Sequence, residues 1–203
     1  MCNVGGGVDR RHNSVRDWLR TWLVTVCRVP SAETEQHVPE WDKWVQARCP
    51  VTNVLRVRRV QRDGVEVAEP VTVLQRAVLD VAFRDDEGAL VYVDVAYANA
   101  SSADAAATLR AARTAGKAAS EREDAKRRRY PPAAHPHAEL VPFVIEARGR
   151  LGAEVLPFLR QHAPAEEPLR SAVLARATRE LSILTQRGLA ALLLAAEPRP
   201  VAT

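Results

Sequence analysis

The sequence predicts a mixed α/β layer fold, and three observations carry that prediction. Two short apolar segments with period-two alternation, residues 77–83 and 89–96, flank the acidic turn Arg84-Asp85-Asp86-Glu87-Gly88, which is the pattern of a β-hairpin. A long stretch of alanine, arginine, lysine and glutamate over residues 103–129 is built from strong helix formers and ends at Pro131-Pro132. The apolar run 140–145 that follows reads as a buried strand. Strands and helices that alternate in this way pack as layers around one core.

The remaining elements follow in order. Gly5-Gly6-Gly7 reads as a flexible leader, after which Asn13 or Ser14 caps a helix with Val15, Trp18, Leu19, Trp22, Leu23 and Val26 at helical spacing. Arg10, Arg11, Arg16 and Arg20 crowd its start and flank. Residues 31–39 read as extended, with Glu35 inside. Residues 54–60 alternate as a strand that pairs with residues 65–67 across Arg62-Asp63-Gly64. Gly149 to Gly152 turns the chain into a helix over about 153–161, and a last helix starts near Pro168. The expected organisation is a leader at 1–9, a domain at 10–163 and a C-terminal helical extension at 164–203.

Composition narrows the class without naming an activity. The chain has 203 residues, 27% charged and 47% hydrophobic, which suits one globular domain. Its net charge of +4 permits a polyanionic partner without requiring one. Cys2, Cys27 and Cys49 are odd in number and lack CxxC spacing, so a disulfide scaffold is not expected. The longest apolar run, residues 189–196, is too short to cross a bilayer, and no membrane association is expected.

The candidate chemistry begins with Asp80 and Asp94. The midpoint of their positions falls in the acidic turn, so an antiparallel hairpin brings the two carboxylates opposite each other on one face. Leu79, Val81, Phe83, Val91, Val93 and Val95 line the opposite, apolar face. Opposed like charges on apolar strands need compensation. Hard carboxylate oxygens suit Mg²⁺ or Mn²⁺, which typically take one or two protein carboxylates. An ion pair from Asp80 to Arg76 or Arg84, with Asp94 capping or edging a strand, is the structural alternative. Both accounts fit the two aspartates alone.

The end of the long helix adds to the metal account. Glu123, Lys126 and Tyr130 share one face, with Arg122 and Arg129 beside them, and Arg127 and Arg128 complete the basic run. A lysine there can bring an ammonium to the aspartates, and the arginines can meet phosphates. A cationic last turn also complements the helix dipole. Four consecutive basic residues exceed what that role needs, which favours nucleic-acid contact.

These landmarks, taken in order, resemble the restriction-enzyme-like endonuclease domain of site-specific non-LTR retrotransposon polyproteins, a branch of the PD-(D/E)XK nuclease superfamily. Arg11-His12-Asn13 resembles the basic-His-Asn signature that opens its first helix. Thr34-Glu35-Gln36 with Val38-Pro39 resembles its early acidic strand, and Leu79-Asp80-Val81 and Val93-Asp94-Val95 its metal aspartates. Ala125-Lys126 through Arg129-Tyr130 resembles its helix lysine, and residues 141–144 its closing strand. The match spans roughly residues 10–161. The superfamily's usual lysine position, two residues after the second aspartate, is Ala96 here, so Lys126 is the expected substitute and Lys117 the weaker one. Leu79 stands where a proline is common.

The resemblance implies a nuclease-like mixed sheet with a central hairpin flanked by helices. It also implies Mg²⁺-dependent (or Mn²⁺-dependent) nicking of double-stranded DNA, with Asp80 and Asp94 as metal ligands, Lys126 as catalytic lysine and Glu35 as auxiliary. Arg11, His12, Arg122, Arg127, Arg128 and Arg129 would contact nucleic acid. The other domains of a reverse-transcriptase polyprotein would be partners, and the nucleus the place of action. A zinc knuckle precedes the signature in that family. Cys2 is then either the last ligand of a lost knuckle or an incidental cysteine. A remnant that binds nucleic acid without cutting it is the alternative of the same lineage, and an arginine-rich helical adaptor without a hairpin is a third reading.

Overall fold

The computed structural model describes residues 5–49, 52–62, 65–99, 109 and 113–196. In chain order the elements are α1 (Gly5–Thr25), β1 (Ala32–His37), β2 (Lys43–Gln46), β3 (Val57–Arg62), β4 (Val65–Pro70), β5 (Thr72–Gln75), β6 (Val78–Arg84) and β7 (Leu90–Ala98). They continue with α2 (Lys117–Arg129), β8 (Ala138–Glu146), α3 (Val155–His162) and α4 (Leu169–Ala196). Single 3-10 turns occupy Pro39–Trp41 and Pro132–Ala134. The fold is mixed α/β, with a mixed sheet flanked by helices, as the sequence predicts. Two compact units divide the chain: Met1–Gln36 with Leu79–Thr203, and His37–Val78.

The larger unit is built on a four-stranded sheet of order β1-β6-β7-β8. β6 and β7 form the expected antiparallel hairpin, in register from Arg84↔Leu90 to Val81↔Val93. β7 and β8 run parallel from Leu90↔Ala138 to Ala98↔Glu146, and α2 lies in the crossover that a parallel pair requires. Pro142 interrupts β8 without penalty because β8 is an edge strand and needs no N–H on its open side.

Alternation sorts the strand residues onto two faces as expected. Val81, Phe83, Val91, Val93 and Val95 join Val141, Phe143 and Ile145 in the main core, packed against Val15, Leu19, Trp22 and Leu23 of α1. Phe158 and Leu159 of α3 and Ala177 and Leu181 of α4 complete that core. Phe143 and Phe83 both meet the Phe158 ring edge-on. On the opposite face Ala96, Ala98 and Val144 pack against Ala118 and Ala119 of α2. Only small side chains separate helix and sheet there.

Three expectations change. α1 begins at Gly5, not at a cap on Asn13 or Ser14, and the Ser14 hydroxyl donates back to the Arg10 carbonyl inside the helix. Residues 1–4, with Cys2, lie outside the described residues. The helix expected over 103–129 is interrupted, since Gly116 takes φ 79° and α2 starts after it. Leu109 and Arg113 are helical before the break, while residues 100–108 and 110–112 lie outside the described residues. Finally, α4 is no extension. It packs on α1 within the larger unit, through Ala177, Leu181 and a bond from Trp18 Nε1 to Glu180 Oε2 at 2.8 Å.

The smaller unit holds two antiparallel ribbons, β2 with β5 and β3 with β4. The β3–β4 pairing was expected, and its Arg62↔Val65 register makes Asp63-Gly64, outside the described residues, the two-residue connection. Trp41 and Val38 are buried within this unit, and the Asp42 carboxylate accepts from His37 and from the Ala77 N–H at 2.7 Å.

One packing detail yields a test. A Cβ on Gly188 of α4 would fall 2.3 Å from Arg11 Cγ and 2.6 Å from Cδ. Helix propensity alone favours Gly188→Ala by roughly 1 kcal/mol. The clash reverses the sign, so Gly188→Ala is expected to destabilise by about 1 to 3 kcal/mol in urea unfolding. A variant more stable than wild type would refute this packing.

Candidate active site

The hairpin register carried one step past Val81↔Val93 sets Asp80 opposite Asp94. The ladder ends at that step. The Val95 N–H donates to Asp80 Oδ2 at 2.7 Å. His12 Nε2, from α1, shares its proton between Asp80 Oδ2 at 3.2 Å and the Val95 carbonyl at 3.1 Å. The hydrogen bond to Asp80 raises the His12 pKa to about 9, against the opposing effect of burial. The imidazole is therefore a cation at neutral pH, which makes this contact a charge-assisted one.

Asp94 is treated differently. It is 4% exposed, and burial pushes its pKa up to about 6 while the Lys126 charge pulls it back. Lys126 Nζ lies 2.6 Å from Asp94 Oδ2. That oxygen is buried and has no hydrogen bond of good geometry. Asp80, set opposite it by the hairpin register, adds to the rise by its charge. Tyr130 is buried nearby, and its pKa is raised by burial first and by the Asp94 charge next.

The position of Lys126 follows from how α2 is fastened. Glu146 on β8 accepts from the Ala119 N–H at 3.4 Å, in the helix's first turn. Glu123, buried and with its pKa raised by desolvation, accepts from the Glu154 N–H at 3.5 Å. Gly152 is required beneath it, since a Cβ there would fall 2.2 Å from Glu123 Oε1. These contacts hold α2 over β7 and leave Lys117 on the surface, paired with Glu121 at 3.3 Å. Of the two expected lysines, Lys126 is the one brought to the aspartates.

Other expected site residues lie elsewhere. Glu35 has an exposed side chain, 65% accessible, that pairs with Arg16. The auxiliary role expected of it is corrected: alternation along β1 buries Ala32 and half-buries Thr34, and leaves Glu33 and Glu35 in solvent. Arg11 is buried, with its guanidinium 3.5 Å from the Tyr97 ring centroid, so it meets an aromatic face instead of a phosphate. His12 meets Asp80 rather than nucleic acid. Arg122, Arg127 and Arg128 are exposed on α2, although Arg127 pairs with Glu154 at 2.7 Å, and Arg129 lies 5.3 Å from the Tyr130 ring. Among these, the role of His12 was missed. Its signal was present: His12, Val15, Leu19 and Trp22 form one helical stripe facing the sheet.

The donor set fits a hard divalent cation. Two carboxylates set opposite each other, one with a buried oxygen lacking a well-formed hydrogen bond, match the one or two protein ligands such a cation takes. Among the described residues no cluster of three or more His, Cys, Asp or Glu forms a larger set. No helix among them is long and apolar enough to cross a membrane. No protein-family model matches this chain, and no curated protein matches it either.

The His12 contact predicts a pH signature. Its folded pKa of about 9 exceeds the ordinary 6.5, so its stabilisation is complete below about pH 6.5 and fades as pH rises through 9. The stability difference between wild type and His12→Gln should shrink by on the order of 2 kcal/mol over that window in denaturant titrations. A constant difference would show that the imidazole is not held as a cation. Asp94 acts in a separate window, its burial lowering stability as pH climbs from about 4 to about 6.

Proposed function

We propose that the chain is a metal-dependent endonuclease domain of the PD-(D/E)XK type that hydrolyses phosphodiester bonds of double-stranded DNA. The observation that carries this reading is the Asp80–Asp94 pair with the Lys126 ammonium 2.6 Å from Asp94. The choice of DNA, of nicking, and of a retrotransposon polyprotein acting in the nucleus follows the resemblance of the motifs.

Asp80 and Asp94 would hold Mg²⁺ or Mn²⁺, which when bound supplies positive charge to a phosphoryl oxygen and to a water. Lys126 keeps a positive charge beside the pair, aimed at where negative charge grows on phosphorus as the water oxygen bonds to it and the leaving oxygen departs with a proton. His12 and the Val95 N–H fix the Asp80 carboxylate, so one of its oxygens is oriented before any ligand arrives. Exposed Arg122 and Arg128 offer contacts to flanking phosphates.

A second reading has its own support. Asp80 Oδ2 already takes two donors and Asp94 already has its counter-charge, which is what a non-cutting nucleic-acid-binding remnant would have. Supercoiled-plasmid nicking separates the two. With Mg²⁺ the wild type is expected to nick, EDTA to abolish it, and Asp94→Ala and Lys126→Ala to lower the rate by at least about a hundredfold. Glu35→Ala and Lys117→Ala should stay near wild type. Equal nicking by wild type and Asp94→Ala would exclude this site, and no nicking by either would favour the remnant.

A further inference from the structure

The parallel strands β7 and β8 end side by side, with the Ala147 N–H bonded to the Ala98 carbonyl at 2.8 Å. Beyond that edge lies a cleft of about 590 Å³, lined by Arg113, Arg148 and Arg150 together with Asn99, Thr114 and Glu146. Its charge is lopsided. Among the described residues Glu146 is the one carboxylate in the lining, and it is engaged by Arg150 at 3.5 Å and by the Ala119 N–H at 3.4 Å. Among the described residues no carboxylate pairs with Arg113 or Arg148. The start of α2 opens toward the same cleft through Ala118, and Gly116 at its N-cap supplies no side-chain cap. Unpaired guanidinium groups in a concave polar site, at the carboxyl edge of parallel strands, are suited to a phosphate.

Two independent rulers give the distance from this cleft to the aspartates. Along β7, Asp94 and Ala98 share a face four residues apart, about 13 Å. Along α2, Ala118 and Lys126 are eight residues apart, about 12 Å. Helix and strand therefore run side by side from the aspartates to the cleft, and Arg122 is exposed between the two ends. At 3.4 Å of axis per phosphate on one strand, that span is about four nucleotide steps of a duplex.

We propose that this cleft binds a backbone phosphate of the same duplex whose phosphodiester reaches Asp80 and Asp94, through Arg113 and Arg148. It grips the duplex without reading sequence and fixes its direction along α2. The inference rests on the nucleic-acid reading above but not on catalysis.

Binding is therefore measured in EDTA, by fluorescence anisotropy of a labelled duplex over a series of salt concentrations. The Arg113→Gln/Arg148→Gln double variant is expected to bind several-fold more weakly, with the slope of log K against log salt shallower by about two. Arg113→Lys/Arg148→Lys should restore most of the slope, because a point charge suffices for a phosphate. Arg176→Gln, on the exposed face of α4, should match wild type. Unchanged affinity and slope in the double variant, or no duplex binding by wild type, would overturn the proposal. Inorganic phosphate and ATP are the competing probes. If either binds wild type and is lost in the double variant while duplex binding is unchanged, the cleft belongs to a free phosphate ligand and the proposal fails. A wild type that binds by this cleft yet never nicks with Mg²⁺ defeats the hydrolytic reading alone. Nicking that persists with no cleft effect defeats the cleft alone.

Discussion

A carboxylate as buried as Asp94 cannot stay charged unless a cation comes to it, and the Lys126 contact meets that demand. Much of the surrounding architecture follows. For an ammonium on α2 to reach a strand residue, the helix must lie close to the sheet, and closeness requires small side chains between them. Ala96 and Ala98 on β7 and Ala118 and Ala119 on α2 provide that layer. A lysine at position 96 would need the space that α2 occupies. The cation therefore arrives from the helix, and the alanine at 96 and the lysine at 126 are two parts of one packing solution. Gly152 and Glu123 belong to it as well, since they fasten α2 to the start of α3.

Asp80 solves the same problem with other means. Its counter-charge comes from α1, on the opposite side of the sheet from α2, and half of its hydrogen bonding is to backbone. The Val95 peptide is held from three directions: by β8 in parallel register, by the Asp80 carboxylate and by the His12 ring. Asp94 immediately precedes that peptide, so the clamp on Val95 also limits the motion of Asp94. The two carboxylates are fixed by different elements but share one rigid segment of β7, which is the kind of support that a preorganised site needs.

What could be read in the sequence was what is local. Period-two alternation gave the hairpin faces, and the midpoint of two residue numbers gave the opposition of Asp80 and Asp94. Helical spacing put Lys126 and Tyr130 on one side of α2. Less visible was anything that depends on distant segments meeting. His12 and Asp80 are separated by 68 residues, and only the packing of α1 on the sheet joins them. Arg11 is expected at a phosphate from the resemblance of Arg11-His12-Asn13; here it lies between the Tyr97 ring and Gly188, a site that requires α4 to be docked. Glu35 reads as a site residue from its place in an acidic extended segment, and alternation along β1 turns Ala32 and Thr34 inward and leaves Glu35 in solvent. The uninterrupted helix over 103–129 was a propensity argument that a single glycine at 116 outweighed.

The same redistribution changes what the net charge of +4 means. The fold sets the arginines in different surroundings. Arg11 is buried against an aromatic ring. Arg16 and Arg127 are paired with glutamates. Arg113 and Arg148 line a cleft in which Glu146, the one carboxylate among the described lining residues, is already engaged. A polyanion responds to uncompensated charge, not to the count. Of the four basic residues at 126–129, Lys126 and Arg127 are already paired with carboxylates, so the run carries less free charge than its number suggests. Lys126 in particular is taken up by Asp94. A divalent cation, were Asp80 and Asp94 to hold one, would supply the positive charge at Asp94 that Lys126 supplies here.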